Sequence, residues 1–240
     1  MTVKKLLLVS ANQYTAPCPV YPLGISYLQA YLKERSPEYD IQLFDFIVNS
    51  HADFIEKLQK YKPDYVGISL RNIDDVNIYR QESFFKHYSA IIDTTRQFSR
   101  STIIIGGPGY SIYPRKLFEY LKPDFAIYGE GEESLWELLQ ALDNKTDYSA
   151  IEGLVYAHKN TTRVNEKKRY CTDPKVCFET GLLDFYWKQG GMLNIQTKRG
   201  CPHQCIYCTY PLIEGATVRT LDPGTVADTL ADLYFNKKID

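Results

Sequence analysis

With 240 residues, 44% of them hydrophobic and 24% charged, the chain has enough apolar material for a packed core and too much for wholesale disorder. Its 28 basic and 29 acidic residues leave a net charge of −1, so no global field draws it to nucleic acid or to an anionic membrane. The apolar run Leu6, Leu7, Leu8 and Val9 behind Lys4 and Lys5 is shorter than a signal peptide requires, and no later segment reaches the length of a membrane span. A cytoplasmic protein that does not span a membrane is expected. Its six cysteines then read as ligands or free thiols rather than disulfides.

From the amino terminus, short and continuously apolar strands are expected at residues 5–10, 41–46, 65–69, 102–106 and 125–128. Helical faces lie between and after them: Phe84, Tyr88, Ile91, Ile92 and Thr95 form one, and Leu135, Leu138, Leu139 and Leu142 another. Such strands, separated by helices, imply parallel pairing with both sheet faces covered. The fold class is α/β, a Rossmann-like five-stranded parallel sheet in the flavodoxin order, over residues 1–145. The texture changes at residues 146–190, which read as a connector with a small hairpin around residues 159–162. A strand at residues 192–197 is expected to run into a cysteine cluster. Beyond it, Asp222 caps and Pro223 opens a helix with the apolar stripe Val226, Leu230 and Leu233.

The cluster is CxxxCxxC, formed by Cys201, Cys205 and Cys208. Three thiolates this close can wrap a [4Fe–4S] cube if the loop curls around it, and Gly200, Pro202 and Pro211 suit such a bend. Three ligands for four irons leave one iron open to chelate the amino and carboxylate groups of S-adenosylmethionine. One electron passed through the cluster then cleaves the sulfonium to a 5′-deoxyadenosyl radical, chemistry that the cofactor supplies and the protein orients. A structural zinc site with His203 as fourth ligand is the alternative; zinc sites, however, usually pair two well-separated ligand couples.

The spacing, the aromatic Tyr207 before the last cysteine and the strand–loop–helix context resemble the radical S-adenosylmethionine superfamily. The resemblance implies that Tyr207 lies beside the adenine of the bound cofactor and that residues 191–240 begin a partial barrel. The family's next landmark, an acidic strand end that grips the methionine amine, is expected after the helix at 223–236. A truncated form of a longer enzyme, inactive alone, is therefore expected.

In an open parallel sheet, ligands bind beyond the carboxyl ends of the strands. The loops there carry Pro22, Leu23 and Gly24 after the first strand, and Ser69, Arg71 and Asn72 at the third. Gly106, Gly107 and Gly109 follow at the fourth, and Gly129 and Glu130 at the fifth. Glycine lets backbone approach a flat ligand, although the Gly106 turn would serve any α/β protein, and Glu132 and Glu133 favour a helix dipole without a ligand. The combination, directly before CxxxCxxC, resembles the cobalamin-binding radical S-adenosylmethionine enzymes. That resemblance implies cobalamin across the carboxyl edge, held by these loops. It also implies an electron donor such as flavodoxin or ferredoxin, and methylation of an unactivated carbon of a small-molecule or lipid-like substrate. A radical rearrangement or cyclisation is the alternative activity, and a cofactor-binding module without activity of its own is a third reading. No Asp-x-His-x-x-Gly occurs, so no histidine is offered as lower axial ligand. His51 and His87 read as surface or packing residues, Cys18 as a bystander thiol, and Cys171 and Cys177 as non-ligands. No residue is assigned an acid–base or nucleophilic role.

Overall fold

The computed structural model describes residues 3–75, 77, 79 and 82–239. Five parallel strands, β1 (Lys4–Ser10), β2 (Tyr39–Asp45), β3 (Tyr65–Ser69), β4 (Thr102–Gly106) and β5 (Phe125–Ile127), pair in the order β2-β1-β3-β4-β5. This is the expected flavodoxin order. The helices α1 (Leu23–Arg35), α2 (His51–Tyr61), α3 (Phe85–Phe98), α4 (Pro108–Ile112), α5 (Pro114–Leu121) and α6 (Glu132–Asn144) cover both faces. Alternation along β1 sends Leu6 and Leu8 into a core with Ile25, Leu138 and Leu139. It sends Leu7 and Val9 into a second core with Phe54, Leu58, Ile91 and Ile103. Both faces of β1 are thus apolar because both are buried.

The sheet has seven strands rather than five. The hairpin β6 (Leu154–His158) and β7 (Thr161–Val164) pairs antiparallel onto β5. Leu154, Val155 and Tyr156 are buried there, so the hairpin extends the core instead of standing apart in the connector. Its two-residue turn puts Lys159 and Asn160 at positive φ (44° and 63°), the geometry of a tight hairpin.

Two further differences concern the second half. Residues 192–197 form no strand. Leu193 and Ile195 pack against the first core instead, and pairing is confined to β8 (Lys198–Arg199) with β9 (Arg219–Thr220). A helix that periodicity did not reveal, α7 (Thr180–Gly190), docks through Leu183 and Tyr186, both fully buried; the Tyr186 hydroxyl donates to Asp45 Oδ2 at 3.0 Å. A short α8 (Tyr210–Glu214) follows the cysteines. Asp222 caps α9 (Pro223–Ala231) by accepting from Thr225 N at 2.9 Å, as expected, and the chain continues through a π-helical turn, Asp232–Asn236. Of the expected stripe on this helix Leu233 is buried, while Leu230 stays exposed. Among the described residues no helix is long and apolar enough to cross a membrane.

Of the two histidines considered above, His51 is exposed and His87 packs half-buried. His51 Nε2 lies 2.7 Å from Thr94 Oγ1. His87 Nε2 donates to the Ala11 carbonyl at 3.1 Å and meets the Phe46 ring edge-on. Burial pushes the His87 pKa below its ordinary 6.5, outweighing the bond to Ala11. The unfolded chain therefore binds the proton first. Stability held at this site above pH 6.5 falls as the pH drops through 6.5 toward the lower folded value. His87→Gln, which keeps a donor for Ala11, is expected to flatten the fall of the urea midpoint between about pH 7 and pH 5. An unaltered slope in the variant refutes this.

Candidate functional site

All five parallel strands end at one edge, and the chain order reverses at β1, between β2 and β3, which leaves a crevice beyond that edge. A cavity of about 450 Å³ lies there. Ser10, Ser69, Gly106, Gly107 and Ile127 form its floor, and the start of α1 (Pro22, Leu23, Gly24, Tyr27) one wall. Gly129, Glu130, Gly131 and Glu132 line it next to that helix. The roof is Asn194, Ile195, Gln196, Arg199, Ile213 and Glu214, from the segments on either side of the cysteines.

Of the loop residues expected along this edge, Pro22, Leu23, Gly24, Ser69, Arg71, Gly106, Gly107, Gly129 and Glu130 line the cavity. Asn72 and Gly109 do not. Gly109 N donates to the Leu70 carbonyl at 2.9 Å, and the Asn72 carbonyl accepts from the Tyr88 hydroxyl, so both brace the turn from behind.

Two glycines serve opposite purposes. Gly107 has φ of 96°, and a Cβ there would stand 2.7 Å from Ser69 Oγ and 2.8 Å from the Leu70 carbonyl oxygen, so the turn itself demands glycine. A Cβ at Gly24 would meet nothing within 4 Å, although the residue lines the cavity. That is open space a side chain could fill. Arg71, half-buried on the same rim, pairs with no carboxylate of the described residues. Burial lowers its pKa, and the groups working against that are the Tyr186 phenol and the Cys18 thiol.

The three clustered cysteines lie on the loop between β8 and α8. Cys201 is half-buried; Cys205, Cys208, His203 and Tyr207 are exposed. The loop is anchored at its root: Cys201 N donates to the Gly215 carbonyl at 3.1 Å, and Gly200 N donates to Glu214 Oε2 at 3.2 Å. Gly200 has φ of 78°, and its missing Cβ would fall 2.1 Å from the Thr217 carbonyl oxygen. No other residue fits at this position. Among the described residues no three Cys, His, Asp or Glu side chains converge to hold one metal ion. The donor set is three thiols and no carboxylate, which by its chemistry fits iron–sulfur ligation.

Sequence reasoning missed the group that joins these two places. Arg199 Nη1 donates to Glu132 Oε1 at 2.7 Å and stands 3.6 Å from Glu130 Oε2. Arg219 grips Glu130 with both terminal nitrogens, at 2.5 and 3.1 Å, and also donates to the carbonyls of Cys171 and Glu214, both at 2.6 Å. Glu130 accepts in addition from Cys171 N at 2.8 Å. The two arginines face each other in register across β8 and β9. Arg199, Glu130 and Glu132 are all buried. Burial by itself lowers the pKa of Arg199, but Glu132 first and Glu130 next raise it above its ordinary value, so the guanidinium stays charged. The visible signal was the pair of acids at 130 and 132 within a glycine-rich loop. Their basic partners lie 67 and 89 residues away, beyond the reach of any local pattern.

Fold and site together define a doubly wound domain whose ligand edge is roofed by the segments that flank a cysteine loop. Residues 14–139 match the B12 binding domain family, and the chain belongs to that family. It is 26% identical, over 98% of its length, to an uncharacterized methyltransferase of Pyrococcus horikoshii, covering 51% of that protein. It is 24% identical, over 94% of its length, to the tryptophan 2-C-methyltransferase of Streptomyces laurentii, covering 46% of it. Among solved structures it resembles the radical S-adenosylmethionine methyltransferase TsrM from Kitasatospora setae with cobalamin and a [4Fe-4S] cluster bound. That likeness has a TM-score of 0.82 and 25% identity, over 98% of this chain and 47% of TsrM. The chain thus spans about half the length of the relatives it matches.

Proposed function

We propose that the chain holds cobalamin at the carboxyl-edge cavity and a [4Fe–4S] cluster with S-adenosylmethionine on the loop above it. It works as part of a radical enzyme that methylates an unactivated carbon of a small-molecule or lipid-like substrate. One observation carries this reading: the cavity of the B12 binding domain is roofed by residues 194–196 and Arg199, which lead directly into Cys201. In this reading the two cofactor sites are neighbours along the chain and in space.

When bound, these groups supply one-electron cleavage of S-adenosylmethionine and a transferable methyl group. The chain's own residues provide place and surroundings. Gly106, Gly107 and Ser69 keep the strand ends low, so that a flat ring can approach the backbone. Leu23, Ile127, Leu135 and Ile195 make the lining apolar and keep water out. Gly24 leaves room on the helix side, and Arg71, which pairs with no carboxylate among the described residues, offers its guanidinium to polar groups at the ring's edge. Cys201, Cys205 and Cys208 would hold the cluster, Tyr207 would stand beside the adenine of bound S-adenosylmethionine, and a flavodoxin- or ferredoxin-type protein would supply the electron.

The test is anaerobic reconstitution with iron and sulfide, addition of hydroxocobalamin, and desalting. Retention of about four irons and about one corrin per chain is expected. Zinc in place of iron, or corrin washed out by desalting, overturns the proposal. A product heavier by one methylene separates methyl transfer from rearrangement or cyclisation.

A further inference from the structure

Glu132 and Arg199 form a pair of a kind that surface ion pairs do not match. Both side chains are at most 6% exposed, and the pair joins the first turn of α6, on the cavity wall, to the residue two before Cys201. Arg199 is held on every side: its guanidinium lies 4.5 Å from the centre of the Tyr27 ring, and its Nε donates to Gln196 Oε1 at 3.0 Å. Moving either member strips a buried charge of its partner, so the pair tolerates little displacement. A helix-dipole role for Glu132 would need neither burial nor an arginine. The backbone on both sides is glycine, with Gly129 and Gly131 beside the acids and Gly200 beside the arginine. The backbone bonds at the root of the cysteine loop tie it to residues 214–220, so the link from there to the Gly129 loop is made by side chains, Arg199 with Glu132 and Arg219 with Glu130.

From this arrangement we infer that Glu132 and Arg199 are positioning residues, which fix the distance and angle between the cysteine loop and the carboxyl-edge cavity. The inference rests on the function proposed above, because that function needs one substrate to meet both cofactors. A misplacement of about 1 Å between reacting groups costs on the order of 10²-fold in rate. A rigid strut of charge-assisted hydrogen bonds serves this need better than apolar packing, since its geometry is directional.

The experiment reads geometry rather than turnover. A singly reduced cluster and cob(II)alamin each carry an unpaired electron, so pulsed electron paramagnetic resonance on the doubly loaded chain measures the distance between them. The unsubstituted chain is expected to give one narrow distance distribution. Glu132→Gln and Arg199→Lys are expected to broaden it roughly twofold, read on the fraction of chains that carries both cofactors. The paired substitution Glu132→Leu with Arg199→Met, which removes both charges and so avoids an orphaned one, is expected to broaden it likewise. An unchanged width in any variant that loads both cofactors overturns the inference. So does loss of loading in all three variants, which would assign the pair to folding, and so does an equally broad distribution in the unsubstituted chain. These outcomes leave the proposed function standing. An unsubstituted chain that retains neither iron nor corrin removes both.

Discussion

Replacing Cys201, Cys205 and Cys208 together with alanine is expected to take the reconstituted chain from about four irons to none, with loss of its visible charge-transfer absorbance. Corrin retention should persist, because none of the three cysteines lines the cavity. The melting temperature should hardly move: Cys205 and Cys208 are exposed, Cys201 is half-buried, and surface substitutions commonly cost less than about 0.5 kcal/mol. Each single substitution should also lower iron content sharply, since two thiolates leave two irons without a protein ligand. Iron measured before and after desalting, beside a thermal melt, decides the matter. A triple variant that keeps its iron would remove the cluster from this loop, and one that loses corrin along with iron would show that the two sites load as one.

Gly24→Leu is expected to act in the opposite pattern, weakening hydroxocobalamin binding by about tenfold or more, roughly 1.4 kcal/mol, while iron loading is untouched. The new side chain would project into open space on the cavity wall, where nothing of the protein stands within 4 Å. Leucine also favours a helix over glycine by about 0.8 kcal/mol, so the fold should be as stable or slightly more so. Gly107→Ala provides the contrast, because its Cβ meets Ser69 and Leu70 and its φ of 96° strains any side chain. There a loss of stability should accompany the loss of corrin. Titration with hydroxocobalamin, followed by absorbance and paired with melting curves, distinguishes them, and unaltered affinity in Gly24→Leu would place the ring elsewhere.

How far the sequence could be read depended on how local each signal was. β3 and β4 fall where their apolar runs stand, since a strand buried on both faces announces itself within five residues. The stretch 192–197 looked alike and failed, because a strand also needs a partner to pair with; Leu193 and Ile195 found apolar contacts without one. The hairpin was visible from its turn, but its attachment to β5 was not, as that depends on an edge set by residues some thirty positions earlier. The same limit governs the site. Cys201, Cys205 and Cys208 carry their spacing with them, and the glycine loops could be ordered along the edge by topology alone. Arg199 and Arg219 show nothing unusual in sequence, and their meaning came only from the buried acids facing them.

The hairpin has one more consequence, a matter of parity. β5 ends at the ligand edge; β6 starts opposite that end and runs away from it, and β7 returns. An even number of added strands thus hands the chain back to the side it left. Lys167, three residues after β7, already donates its backbone N–H to the Tyr128 hydroxyl, just before the Gly129 loop, at 2.9 Å. A single added strand of five residues would have released the chain about 17 Å away, at the far side of the sheet. The cysteine loop could then have reached the cavity only by a long climb back over a helix layer. Following α6, the two short strands leave the chain on the ligand edge, and they help explain how a loop more than seventy residues downstream of β5 comes back to the side where β5 ends.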